Sequence, residues 1–299
     1  MARVVVIGPG AVGGVLAAAA ADNGHEVSLA VRTPFGALTL RRGPGEEREV
    51  AVPVHADPAE LAPADWVLVT TKAQDTASAA AALRAATGPG SVVVVAQNGV
   101  DQERRVDGLV HPAARVRPAV VRIGAEAVAP GRIVHHGYGR LTLPAGPDAE
   151  GLRAVLGGGA GGLEVQGVDD FRTAAWRKLM SNAVANPVTA LTLRRNDALL
   201  DPAAHDLVAG LAREVAATGA AEGAALGEDD VDALLAHYGT MSPAQGTSML
   251  YDRVGGRPLE VEYLTGAVVA AADRHGVDVP LNRTVLALLR LVRPGREPG

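Results

Sequence analysis

The sequence predicts an α/β fold class: a doubly wound parallel sheet in the first half, followed by an all-α second half. Three observations predict it. Short apolar runs alternate with helical stretches through the first hundred residues. A glycine-spaced loop joins the first run to the first helix. After Val168 the strand-like runs stop and long helical patterns take over.

The elements follow in order. Arg3–Ile7 is an apolar run ending in glycine, and 12–23 is Ala-rich and helical, stopped by Gly24. Residues 26–31 form a second strand and 66–70 a third, followed by a helical stretch at 74–86; 91–96 is a fourth strand. Strands alternating with helices indicate parallel crossovers. Residues 115–124, 131–136 and 140–143 read as further strands that finish the same sheet. A helical run, a glycine cluster at 157–162 and a short strand at 163–166 come next. Helices are then expected at 171–193, 203–225, 229–237, 259–275 and 282–292. The boundary is expected near Gly167, which gives domains 1–167 and 168–299, and the Pro/Gly-rich tail 293–299 is expected to fray.

Composition removes several function classes. The 299 residues are 48% hydrophobic, ample for a sizeable core. The net charge of −5 is spread along the chain, without a basic run, and aromatic residues make up 3%, so nucleic-acid binding has little support. With no cysteine, thiol nucleophiles, disulfides and Cys-ligated zinc are excluded, and no metal site is expected. The apolar run at 4–7 is too short for a signal-peptide core, and no stretch suits a bilayer span, so a cytoplasmic protein is expected. Of 28 basic residues only Lys72 and Lys178 are lysine. An ammonium can donate its proton where a guanidinium effectively cannot. Each lysine therefore either marks a place where arginine will not serve or survives on the surface by chance.

Gly8-Pro9-Gly10-Ala11-Val12-Gly13 fits the dinucleotide fingerprint. With 36 glycines, chance alone supplies roughly half an occurrence of such spacing. Gly157, Gly159 and Gly162 repeat the spacing, but without a helix after them. The first match follows a strand and opens a helix, whose free N–H groups and dipole bind a pyrophosphate that glycines let approach. This places a Rossmann nucleotide site at Gly8 to Gly13. At the end of the second strand, where an NAD site keeps an acid, the chain reads Leu29-Ala30-Val31-Arg32-Thr33. Arg32 suits a 2′-phosphate, with Thr33 adding a hydroxyl, so NADPH is the expected cofactor; an ordinary surface arginine is the other reading.

Lys178, Asn182 and Asn186 lie four apart on one predicted helix. Each step of four advances about 40°, so they share a slowly drifting face. Either this polar stripe faces a site, or it is a solvated face with Asn186 ending the helix before Pro187. Ser248 is read as capping or lining a loop, and Glu260 and Glu262 as opening a helix, where acids suit the dipole in any case.

These residues together resemble the 2-dehydropantoate 2-reductase (ketopantoate reductase) family over nearly the whole chain. The likeness rests on the glycine loop, Thr71-Lys72, Gln97-Asn98-Gly99, Trp176-Arg177-Lys178 through Asn182 to Asn186-Pro187, and Ser248-Met249-Leu250 with Glu260. It implies a Rossmann domain joined to an all-α domain of the 6-phosphogluconate dehydrogenase type, with the active site in the cleft between. It implies Lys178 as general acid, with Glu260 beside it in the catalytic set. Asn98, Asn182 and Ser248 would bind a small 2-oxo acid, with Asn186 supporting them. Lys72 and Asn98 would join the glycine loop and Arg32 on NADPH. A homodimer is admitted as a further association. One departure is Gly255-Gly256-Arg257-Pro258, a glycine-rich link that would loosen how Glu260 is presented. Reduction of ketopantoate leads; the same chemistry on another 2-oxo acid or related carbonyl, and a non-catalytic NADPH sensor, stand as alternatives.

Overall fold

A computed structural model of the chain describes residues 1–157 and 163–292. Gly159 and Gly162 of the second glycine cluster, and the tail 293–299, lie outside the described residues. The chain divides into two compact units, Met1–Phe171 and Arg172–Gly299.

The first unit holds two sheets. Its strands, in chain order, are β1 (Arg3–Ile7), β2 (Glu26–Ala30), β3 (Leu38–Arg42), β4 (Glu47–Val50), β5 (Val54–His55), β6 (Trp66–Val69), β7 (Val92–Val95), β8 (Arg115–Pro118), β9 (Val120–Ala129), β10 (Arg132–Pro144) and β11 (Leu163–Val168). Its helices are α1 (Ala11–Asp22), α2 (Ala80–Ala86) and α3 (Pro147–Leu156). The larger sheet is parallel throughout, in the order β5-β2-β1-β6-β7-β8. Counting only its own strands, that order is 3-2-1-4-5-6, the Rossmann arrangement. Its central strands are buried on both faces. Val4 and Val6 point into one core with α1, while Val5 and Ile7 point into the other with Leu83 of α2. This is why they read as unbroken apolar runs and not as alternation.

The larger sheet stops at β8. The expectation that 115–124, 131–136 and 140–143 all finish it is corrected. Residues 115–124 divide at Ala119 between β8 and the start of β9, and 132–136 and 140–143 belong to one long strand, β10, which pairs antiparallel with β9 and is interrupted by an irregularity between His135 and Gly139. The two strands are joined through Pro130-Gly131, with Gly131 at φ +74°. A turn that short forces antiparallel pairing, so the hairpin cannot extend an all-parallel sheet. It builds a second sheet instead, ordered β11-β10-β3-β4 with β9 on β10. This sheet shares a core with α1: a Cβ on Gly14 would stand 2.5 Å from Ile133 Cγ1. Asp148, in the first turn of α3, receives Arg115 Nη2 at 3.0 Å and Arg117 Nε at 2.9 Å, tying α3 to the end of β8. Burial opposes its charge, but the two guanidiniums outweigh burial and hold the carboxyl below its usual range.

The second unit is helical in its described residues: α4 (Phe171–Thr192), α5 (His205–Ala221), α6 (Glu228–Thr240), α7 (Ser248–Val254), α8 (Thr265–His275) and α9 (Pro280–Leu291). None of the described helices is long and apolar enough to cross a membrane. Helix α4 continues past Pro187 to Thr192. Beyond it, Leu193 takes a left-handed φ of +55° and ends the helix. Trp176 is buried against α5, where a Cβ on Gly219 would come 3.1 Å from its ring. Two expected helices begin elsewhere. Residues 74–86 start as a 3₁₀ segment, Ala73–Ala79, where the hydroxyls of Thr76 and Ser78 bond back to the carbonyls of Ala73 and Asp75. The helix expected from 259 starts only at Thr265.

Glu214 of α5 closes the start of α9. Its carboxylate accepts from the backbone N–H of Leu281 and Asn282 and from the Asn282 side chain, each at 2.8 Å. Helix N-termini leave such donors without intrahelical partners. Glu214→Ala should therefore lower stability by about 2 kcal/mol, the scale for losing hydrogen bonds to a charged acceptor. Urea unfolding of the variant beside the parent measures it, and a change below about 0.5 kcal/mol would mean that water serves these donors equally well.

Candidate functional site

In the first unit the site begins where β1 meets α1. Gly8 has a φ of +80°, and a Cβ there would lie 2.9 Å from the Thr71 backbone. A Cβ on Gly13 would fall 2.3 Å from Thr70 Oγ1 and 3.0 Å from the Gly8 carbonyl. The space is already used, because the Thr70 hydroxyl donates to the carbonyls of Ile7 (3.1 Å) and Gly8 (2.9 Å). Gly10 differs: a Cβ there meets only the Gly8 carbonyl, at 4.0 Å. Helix α1 has no side-chain cap at Gly10 and no acid in its first turn. Its N-terminal donors are thus free of side-chain competition and suit an anion. Pro9 is buried, while Ala11 and Val12 open the helix.

The neighbouring loops are tied to this one. Gln97 Nε2 donates to the Thr71 carbonyl (3.1 Å) and to the hydroxyls of Thr71 (2.9 Å) and Thr76 (2.8 Å). Arg105 then gathers the chain around Asn98. It donates to Gln97 Oε1 (3.2 Å) and to the carbonyls of Asn98 (2.8 Å) and Val100 (3.0 Å). Gly99 at φ +94° and Asp101 at φ +56° let the backbone turn there. Sequence reasoning passed over Arg105; it stands eight residues from Gln97 with no periodic pattern, and only its place among 97-98-99 could have pointed to it. Lys72 is half-buried at the end of the β6 loop, and Arg32 extends from the end of β2 with its side chain largely exposed.

In the second unit α4 carries Lys178, Asn182 and Asn186. Lys178 is half-buried, while Asn182 and Asn186 are 8% and 3% exposed. A solvated face would need the asparagines in water, so that reading fails; the reading in which Asn186 ends the helix fails with it, since α4 continues to Thr192. The two residues before Lys178 are structural. Trp176 fills the α5 contact, and Arg177 pairs with Asp230 of α6 at 2.7 Å. The Tyr238 phenol donates to the Ser181 carbonyl at 3.1 Å, and burial pushes its pKa up.

Asn186 joins α4 to α7. Its Oδ1 accepts from Ser248 Oγ (3.2 Å) and from the Met249 N–H (3.0 Å). Three residues on, Thr189 Oγ1 meets Thr247 Oγ1 at 2.7 Å, and Thr247 caps α7. The Arg253 guanidinium reaches back to the carbonyls of Ala190 and Leu191. Ser248 is thus the first residue of a short helix hung from α4, and the expectation of a capping or loop position is refined accordingly. Asn196 holds the approach to α7 through Gln245 and Ser242, and among the described residues its buried side-chain oxygen has no partner. Glu260 is buried, 4% exposed. It does not open a helix: its carbonyl accepts from Tyr263 and Leu264 in a turn before α8. The glycine-rich link ahead of it is braced, because Arg257 binds Asp252 Oδ1 at 2.8 Å and the Tyr251 carbonyl at 2.9 Å.

Known proteins share this plan. Residues 4–148 match the family described as ketopantoate reductase PanE/ApbA, and residues 170–293 match its C-terminal model. A 2-dehydropantoate 2-reductase of Caulobacter vibrioides is 40% identical over 97% of this chain and 98% of its own length. One from Mycobacterium tuberculosis is 36% identical over 99% of each. Among solved structures, a PanE/ApbA family ketopantoate reductase from Ralstonia eutropha superposes with a TM-score of 0.88 at 32% identity, covering 97% of this chain and 98% of that one.

The glycines make separable predictions. Gly13→Ala should lower the stability of the nucleotide-free protein, since Thr70 must move. Gly10→Ala should leave that stability unchanged and weaken nucleotide binding alone, because only a ligand would meet the new methyl. Thermal melting with and without nucleotide tests both; equal behaviour of the two variants would refute the distinction.

Proposed function

The chain belongs to the ketopantoate reductase family, and from that premise we propose that it reduces 2-dehydropantoate to pantoate with NADPH, Lys178 serving as proton donor. The observation that carries this reading is the single buried-to-half-buried face of α4 bearing Lys178, Asn182 and Asn186, in a chain with only two lysines. The uncapped N-terminus of α1 and the open flank of Gly10 fit the pyrophosphate of a dinucleotide. Gly8, Pro9, Gly10, Ala11, Val12 and Gly13 would cradle it, Arg32 would pair with the 2′-phosphate, and Lys72 and Asn98 would complete the nucleotide site. When bound, NADPH supplies the hydride that the ketone carbon accepts.

The chain's own residues handle the proton. As the carbonyl carbon becomes tetrahedral, its oxygen takes up negative charge. The Lys178 ammonium stabilises that charge and transfers a proton from Nζ to the oxygen, and water returns a proton to the amine. Asn182 and Ser248 would hold polar groups of the 2-oxo acid. Asn186, whose side-chain oxygen is engaged by Ser248 and Met249, would act mainly by holding Ser248 in place. Glu260 would accept from a substrate hydroxyl.

Lys178→Ala should lower kcat by about 10²–10⁴, the usual span of general-acid contributions, with NADPH affinity nearly unchanged. Lys178→Arg should not restore it, because guanidinium is too weak an acid. Glu260→Ala should act mainly on KM. Steady-state assays across a panel of 2-oxo acids, following NADPH oxidation, check these effects and the substrate together. Near-parental kcat in Lys178→Ala would end the acid assignment, and a better substrate than ketopantoate in the panel would replace the substrate assignment.

A further inference from the structure

We propose that Asp75 is a specificity-determining residue for the nucleotide, one that weakens the preference for a 2′-phosphate which Arg32 creates. The proposal rests on the reading of Arg32 as the phosphate partner. At the end of β2, where an NAD site carries its acid, the segment 29–33 has none. A carboxylate nevertheless reaches the Arg32 guanidinium from elsewhere in the sheet. Asp75 lies in the segment after β6, two strands across, with its Oδ1 3.7 Å from Arg32 Nη1.

The two partners are held differently. Arg32 is 77% exposed at its side chain and is free to swing toward a ligand. Asp75 is 41% exposed, but its backbone is fixed: its N–H donates to the Lys72 carbonyl at 2.9 Å, and its own carbonyl accepts from Ser78 Oγ at 2.6 Å. An exposed pair of this kind is weak, so a phosphate dianion takes Arg32 from it readily. The carboxylate cannot retreat far and remains beside the phosphate. Like charges then oppose the binding of a 2′-phosphate. A ribose 2′-hydroxyl meets the opposite situation, since it can donate to the same carboxylate. Asp75 thus sets a carboxylate, from another loop, beside the guanidinium that would meet the 2′-phosphate, and narrows the gap between the two cofactors.

The test measures Kd for NADPH, NADH, 2′,5′-ADP and 5′-AMP in the parent, Asp75→Asn, Arg32→Ala and the double variant. Asp75→Asn should tighten NADPH and 2′,5′-ADP roughly two- to fivefold, the scale of an exposed charge interaction, and leave NADH and 5′-AMP unchanged or slightly weaker. The gain should shrink as salt rises from about 0.05 to 0.5 M, because screening removes an effect between exposed charges. An unchanged ratio, or weaker NADPH binding in Asp75→Asn, overturns the proposal and would make Asp75 an organiser of Arg32. A failure of the Arg32 reading shows itself separately: Arg32→Ala would then leave the NADPH-to-NADH ratio at its parental value, whatever Asp75→Asn does.

Discussion

The close approach of two backbones at the end of β1 is the constraint on which the first unit depends. Between Gly8 and Thr71, and between Gly13 and Thr70, no room remains for a Cβ. That contact lies between β1 and β6, where the strand order reverses and a parallel sheet opens a crevice at its carboxyl edge. The Thr70 hydroxyl then bonds two carbonyls of the turn, so the turn and the β6 loop are one piece. The coupling continues outward: Thr71 to Gln97, then Gln97 and Asn98 to Arg105. The glycine loop, Lys72 and Asn98 therefore belong to one hydrogen-bonded edge, though up to 90 residues separate them in sequence. Arg32 joins that edge through its side-chain pair with Asp75.

In the second unit α4 plays the corresponding part. It is buried along most of its length, and each neighbour fixes one level of it. Gly219 of α5 admits Trp176, Asp230 of α6 takes Arg177, and Tyr238 supports the carbonyl of Ser181. At its far end the direction of support reverses, and Asn186 and Thr189 hold α7. Helix α7 has only seven residues, too short to persist on its own propensity. The orientation of Ser248 is thus set by α4, and the helix that carries Lys178 also fixes a residue 62 positions beyond Asn186.

The sequence made the sheet legible wherever burial was complete on both faces, as in β1, β6 and β7, and the glycine loop wherever a strand and a helix flanked it. It failed where the pairing partner is distant. β5 has two residues, and only its parallel partner β2 defines it. The β3–β4 hairpin is charged on its exposed side and is recognised by its packing on β10. Of the β9–β10 hairpin, β10 was visible as two strands and the first half of β9 was merged with β8, while its sheet was not visible, since apolar content does not say which edge a strand joins. In the candidate site, the shared helical face of Lys178, Asn182 and Asn186 was legible from spacing. Their burial was not, and burial is what excludes a solvated face. Glu260 was singled out by the family resemblance alone and was misread as opening a helix, because acids before a helix and acids within a turn leave the same trace.

The use of arginine throughout the fold bears on the two lysines. Where a cation braces this structure, it does so as a fork. Arg105 serves three acceptors in the Asn98 loop, Arg253 two carbonyls at the end of α4, and Arg257 a carboxylate and a carbonyl together. Arg115 and Arg117 share Asp148, and Arg194 spans Asp197 and Asp201. A planar group with five donors suits each of these places, and an ammonium would satisfy fewer of the acceptors. A bias toward arginine thus costs the scaffold nothing. It would cost a proton-transfer step a great deal, because a guanidinium holds its protons far above neutral pH. Position 178 follows one residue after an arginine that is already occupied with Asp230, and it opens a face whose next two members are buried amides. In a chain that uses arginine for support, the proton-donor role proposed for Lys178 supplies a reason for a half-buried lysine at that position that positive charge alone does not.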